Sequence, residues 1–116
     1  MPVRKRNALG QIIYSDEALA NLAGIIAMEC YGLVGMASKR ATDGLVELLK
    51  RENLSKGVKI RWDGEEVIIE LYVVVEYGVS ISAVASNIIE NVKYQMENLT
   101  GLRVNRVDVT VHGIRV

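Results

Sequence analysis

The chain has 116 residues and a mass of 12.8 kDa, half of them hydrophobic and 24% charged, which describes one globular domain and excludes both a two-domain protein and a disordered one. Lys and Arg total 14 and so do Asp and Glu, a neutrality that argues against a general nucleic-acid or anionic-membrane binder, whose affinity rests on excess positive charge. The single cysteine, Cys30, excludes an internal disulfide and a multi-thiolate metal site.

Residues 1–8 carry Arg4-Lys5-Arg6 without periodicity and are expected to be a flexible basic arm, with 9–116 forming one domain. Leu9-Gly-Gln-Ile-Ile-Tyr14 has the β-branched and aromatic character of a short strand. Ser15 stands at an N-cap position, and Asp16 and Glu17 follow in the first turn, where the helix dipole favours them. The helix predicted over 16–30 places Leu19, Leu22, Ile26 and Cys30 on one face. Its other sides are also apolar, with Ile25 and Met28 among alanines and Gly24. Such a helix is either buried on several sides or covered by a partner.

Tyr31-Gly-Leu-Val-Gly-Met36 is a brief apolar run between glycines, too short to define a strand. Thr42 or Asp43 can cap a short extra helix through Leu45, Leu48 and Leu49, with Asn53 and Gly57 at its exit. The centre of the chain is a hairpin. Val58, Ile60 and Trp62 alternate with Lys59, Arg61 and Asp63, and a turn at Asp63-Gly64 sets Ile60 opposite Val67 and Arg61 opposite Glu66. Val67, Ile69, Leu71, Val73, Val75 and Tyr77 then share the core face, while Glu66, Ile68, Glu70, Tyr72, Val74 and Glu76 share the half-solvated one.

Ser80 or Ser82 starts a long helix that ends near Thr100-Gly101, with Val84, Ile88, Val92, Met96 and Leu99 as its apolar stripe. The closing strand alternates through Val107, Val109 and Val111, and its parity flips after Gly113, which predicts a bulge or bend there. The predicted fold is α+β: a small mixed sheet with a central β-hairpin, two main helices packed on one face, and the short extra helix.

Few residues suggest chemistry. His112 has no second histidine, and Cys30 at the end of an apolar face is expected to be a packed thiol. Glu66 and Glu70 lie about 13 Å apart along a strand, too far to share an ion. Phosphate-binding glycine loops, nucleophile elbows and metal-ligand spacings are missing from the sequence, so no enzyme, cofactor or metal is expected. Gly32-Leu-Val-Gly35, with Lys39 and Arg40 behind it, matches the loop that clamps RNA backbone in one fold and supplies an alternative, although its central residues are apolar. The longest aliphatic-looking run, Leu71 to Val75, is far short of the roughly 20 residues of a membrane span. Asp16 and Glu17 interrupt the basic-to-apolar order of a secretory signal, which points to the cytoplasm. Charge is divided unevenly. Residues 1–61 hold ten basic and six acidic groups and residues 62–116 hold four and eight, so opposite faces of two copies could meet. The candidate partner-binding residues are Glu66, Glu70, Tyr72 and Glu76 on the sheet and Ile25 and Met28 on the first helix.

Several segments together resemble the alkaline shock protein family, the envelope stress response family of Gram-positive bacteria. They are Gly10-Gln-Ile-Ile13, Asp16-Glu-Ala-Leu19, Gly32-Leu-Val-Gly-Met36, Asp43-Gly-Leu-Val-Glu-Leu-Leu49 and Leu54-Ser-Lys-Gly-Val58, followed by Leu71-Tyr-Val-Val-Val-Glu-Tyr-Gly78, Asn91-Val-Lys93, Leu99-Thr-Gly-Leu102 and Val107-Asp-Val-Thr-Val-His-Gly113. The chain lacks the long charged extensions of some members. The resemblance implies a cytoplasmic, non-catalytic protein of envelope homeostasis. It would assemble with itself or with a small membrane-anchored partner near the inner membrane face, and no catalytic residue is carried over.

Overall fold

A computed structural model describes residues 3–38 and 48–116. Its elements in chain order are strands β1 (Val3–Asn7) and β2 (Gly10–Tyr14), helix α1 (Asp16–Met28), strand β3 (Leu33–Met36), a 3-10 helix (Arg51–Gly57), strands β4 (Val58–Asp63) and β5 (Glu66–Glu76), helix α2 (Ile81–Thr100) and strand β6 (Val104–Arg115). The architecture is the α+β fold expected, with differences that have physical causes.

β5 organises the sheet. One of its edges is shared end to end by two antiparallel partners, β4 along residues 66–71 and β3 along residues 73–75; β6 runs parallel along the other. The core side of β5 carries Val67, Ile69, Leu71, Val73 and Val75, all buried in one cluster with Leu19, Ala23 and Ile26 of α1 and Val84, Ile88, Val92 and Met96 of α2. Both helices therefore cover the same face. Tyr77 does not extend the row, because the strand ends at Glu76 and the tyrosine is exposed.

The hairpin keeps its predicted faces but not its predicted register. Gly64, with φ 63°, takes the first turn position and Glu65 the second, so Asp63 pairs with Glu66, Arg61 with Ile68 and Ile60 with Ile69. Moving the turn centre by one residue shifts each pair by two, and a shift of two preserves which side chains point inward. Arg61 consequently meets Glu70, at 2.7 Å, in place of Glu66.

Ser15 caps α1 by accepting the Ala18 N–H at 3.0 Å. Ser80, rather than Ser82, caps α2. Gly101 ends α2 in the left-handed region at φ 73°, where a side chain is disfavoured. Leu99 leaves the predicted stripe and is 62% exposed, whereas Thr100 is buried. The threonine can afford burial because its hydroxyl donates to the Met96 carbonyl and accepts the Leu102 N–H. The bulge in β6 falls at His112: Val111 pairs with Val73 and Gly113 with Val74, leaving the histidine as the extra residue.

Three further expectations change. Val3–Asn7, expected as an arm without secondary structure, pairs with β2 in a two-stranded ribbon. The run from Tyr31 contains a strand, β3. Of the short extra helix, Leu45 and its capping residues lie outside the described residues, Leu48 makes an isolated bridge to Ala37, and the helical turn that is present is the 3-10 helix over Arg51–Gly57.

The Tyr14 hydroxyl donates to the Thr100 carbonyl at 2.8 Å and ties the base of the ribbon to the end of α2. Tyr14→Phe should cost about 1 kcal/mol in equilibrium urea unfolding, the net worth of one such bond.

Candidate functional site

The surfaces proposed from sequence separate into one that neutralises itself and one that stays apolar. On the sheet face opposite the helices, Glu66 accepts the Asn105 side-chain amide at 2.8 Å and lies 3.8 Å from the Arg103 guanidinium. Glu70 holds Arg61. Glu76 alone of the three is exposed. Tyr72 tilts against His112 with ring centroids 5.1 Å apart. The open face of β5 also buries Ile68 and Val74. Two of the three carboxylates on this half-solvated face are therefore paired within the chain, because β4 and β6 bring their basic and amide side chains beside them.

The outer side of α1 behaves differently. Its cap and its buried row of Leu19, Ala23, Ile26 and Ala27 fix the helix against the sheet. That orientation leaves Ile25 and Met28 36% and 40% exposed. Together with Glu29, Leu49 and Leu54 they line a depression of about 340 Å³. Gly24 lets the 3-10 helix approach closely here, since a Cβ on it would stand 3.1 Å from the Leu54 Cβ. Leu49 and Leu54 are the members that sequence alone did not single out. Their leucine spacing was the available signal, but it does not reveal which helix face they meet.

A second depression, about 690 Å³, lies between the start of α1 and β4, with Asp16, Glu17, Lys56 and Lys59 around Ala20, Val58 and Ile60. Its charges balance. Trp62 donates its indole N–H to Asp16 at 3.2 Å. Among the described residues, no buried side-chain polar atom lacks a partner and no three His, Cys, Asp or Glu side chains converge as ion ligands would.

The glycine pair has a structural job. Gly32 is buried with φ 85°, and a Cβ on it would meet Val84 Cγ2 at 2.5 Å; Gly35 sits within β3, opposite Val74. Leu33–Met36 is a sheet strand and Gly32, in the turn before it, packs against Val84 of α2, whereas an RNA-clamping loop protrudes. Lys39 and Arg40 lie outside the described residues. Cys30 is buried, its thiol donating to the Ile26 carbonyl at 3.7 Å and accepting from the Asn91 amide at 3.6 Å. Among the described residues, no helix is long and apolar enough to cross a membrane.

These features define a class: a small α+β domain whose one sheet face is closed by two helices, the first of which leaves Ile25 and Met28 open beside a depression. Residues 4–116 match the model of the alkaline shock protein 23 family, described as having a cell envelope-related function, and the chain belongs to that family. The protein YloU of Bacillus subtilis is 46% identical over 117 residues, covering 100% of this chain and 98% of its own. The Spy1614 protein of Streptococcus pyogenes is 40% identical, covering 100% and 97%. A Streptococcus pyogenes protein called a stress response regulator gls24 homolog is 24% identical over 91% of this chain and 59% of its own. Among solved structures, the copper form of the MamM CTD superposes with a TM-score of 0.52 at 15% identity over 86% of this chain and 87% of that one, a likeness of fold alone.

Proposed function

We propose that this chain is a non-catalytic interaction module of the envelope stress response, acting by self-association or by docking on a membrane-anchored partner. The observation that carries the reading is the depression rimmed by Ile25 and Met28, on a helix whose Leu19, Ala23, Ile26 and Ala27 are committed to the core. Methionine and isoleucine open to solvent around a shallow concavity are the usual chemistry of a docking site for an apolar side chain. Relatives described by stress regulation and a family described by the envelope supply the setting. The cytoplasmic face of the membrane is the proposed location, reached through a partner.

The test is crosslinking and affinity capture in native lysate, run beside sedimentation of the pure chain. Wild type should give an oligomer or a discrete partner. The paired variant Ile25→Glu/Met28→Lys should lose it while its unfolding free energy moves by only about 0.5 kcal/mol, as surface changes do. Recovery of neither oligomer nor partner by wild type overturns the reading.

A further inference from the structure

β6 is 12 residues long and pairs with β5 alone, so its outer edge carries no strand among the described residues. The ladder fixes which backbone groups line that edge. Tyr72 and Glu76 of β5 bond toward β3, the first accepting the Ala37 N–H and the second donating to the Gly32 carbonyl. The odd-numbered residues of β5 therefore serve β6, as Val67 does in donating to the Arg103 carbonyl. In a parallel pair such a residue bonds the two neighbours of its partner and not the partner itself. The partners of Ile69, Leu71 and Val73 are Val107, Val109 and Val111. These valines accordingly turn their N–H and C=O groups outward, and among the described residues no hydrogen bond reaches them. Such an edge is a template for another strand.

The side chains identify the strand that fits. β6 holds neither lysine nor proline, and its register is unbroken from Arg106 to Val111; the outer edge of β4, by contrast, is six residues long and carries the exposed Lys59, a device that resists pairing. Val109 and Val111 are only half-buried on the helix side. Asp108, Thr110 and His112 lie on the open face, where His112 packs against Tyr72 and none of the three is buried. In one antiparallel register the strand is its own complement. About a two-fold axis at Thr110, that residue faces the partner's Thr110, and Val109 faces the partner's Val111. Asp108 faces the partner's His112, an acceptor against a ring N–H donor. An axis at Asp108 opposes two carboxylates, and an axis at Val109 sets Arg106 against the partner's His112, donor against donor. A foreign strand would have to supply this pattern; a second copy already has it.

We propose that two copies of the chain join edge to edge through β6, antiparallel about Thr110, so that their sheets continue into one. The contact is isologous, and each outward valine gains a backbone partner on both sides of the axis. The proposal rests on the self-association reading above but uses a different surface from Ile25 and Met28.

Sedimentation velocity across a concentration series tests it with Thr110→Lys and Thr110→Glu, whose exposed position leaves the fold intact, as circular dichroism should verify. Each variant alone should associate at least about tenfold more weakly than wild type, because the axis sets its new charge against an identical one. Mixed in equal amounts the two should recover a heterodimer, lysine against glutamate. Thr110→Cys should crosslink to a second copy under diamide, since residues opposed on the axis lie about 4.5 Å apart at Cα, within disulfide range. Asp108→Cys should crosslink more slowly. Self-association that ignores both charges at position 110 overturns the edge pairing, and so does a mixture that stays monomeric. If that association is instead lost in Ile25→Glu/Met28→Lys, the docking reading stands without the pairing. A wild type that is monomeric at every concentration yet captures a discrete partner also overturns the pairing and leaves docking.

Discussion

Gly32→Ala is expected to destabilise the domain by about 2–4 kcal/mol, combining about 1–2 for a side chain in the left-handed region with about 1–3 for overpacking. Both contributions act at one atom. The glycine has φ 85°, and its new Cβ would lie 2.5 Å from Val84 Cγ2 on the first turns of α2. It cannot move away freely, because its carbonyl accepts the Glu76 N–H at 3.0 Å where β3 meets the end of β5. A small domain has about 5–15 kcal/mol in total, so the loss should appear as a large fall in urea midpoint at unchanged slope. Val84→Ala separates the two contributions. It removes the obstructing methyls, so the double variant should be less destabilised than the sum of the singles, with the backbone strain remaining. Strict additivity would mean that the two residues do not touch.

Ile69→Ala should cost about 2–5 kcal/mol, the range for deleting a fully enclosed aliphatic side chain. Ile69 has no exposed surface and sits midway along β5, between Ile60 on β4 and Val107 on β6. Two strands flank that position and residues of both helices share its buried cluster, so little of the cavity can collapse. The same isoleucine-to-alanine change at Ile12, half exposed on the ribbon, should move the unfolding free energy of the body by only about 0.5 kcal/mol. Equal effects at the two sites would contradict the description of β5 as the centre of the core.

What could be foreseen from the chain was whatever periodicity or capping encodes locally. Alternation through Val67, Ile69, Leu71, Val73 and Val75 fixed the inward face of β5, and Ser15 and Gly101 marked helix ends because their side chains, or the lack of one, meet specific backbone needs. Positions decided by distant neighbours were not foreseeable in the same way. Asp63-Gly64 is a strong turn pair, but which of its residues sits at the centre depends on the ladder beyond it. Arg4-Lys5-Arg6 has no strand signal, and its pairing depends on β2. At the candidate site, Ile25 and Met28 stood out as surplus apolar residues on a helix already supplied with a core face. Leu49 and Leu54 did not, since only the approach of the 3-10 helix to Gly24 brings them alongside. The hairpin pattern announces an Arg61–carboxylate pair, but that the carboxylate is Glu70, and that Arg103 and Asn105 reach Glu66, depends on the register and on β6, which no single strand encodes.

β5 meets three strands, and the joins differ greatly in how far apart their members lie along the chain. Against β4 the link is a two-residue turn; β3 must return across more than thirty residues, and β6 can dock only after α2 has crossed the sheet. Loop closure over such separations is entropically costly, and parallel pairing cannot be shortened. Assembly is expected to begin at the β4–β5 hairpin and finish with the parallel seam, which φ-values high in the hairpin and low in β6 would show, and to be slower than the folding of a helical bundle of the same size.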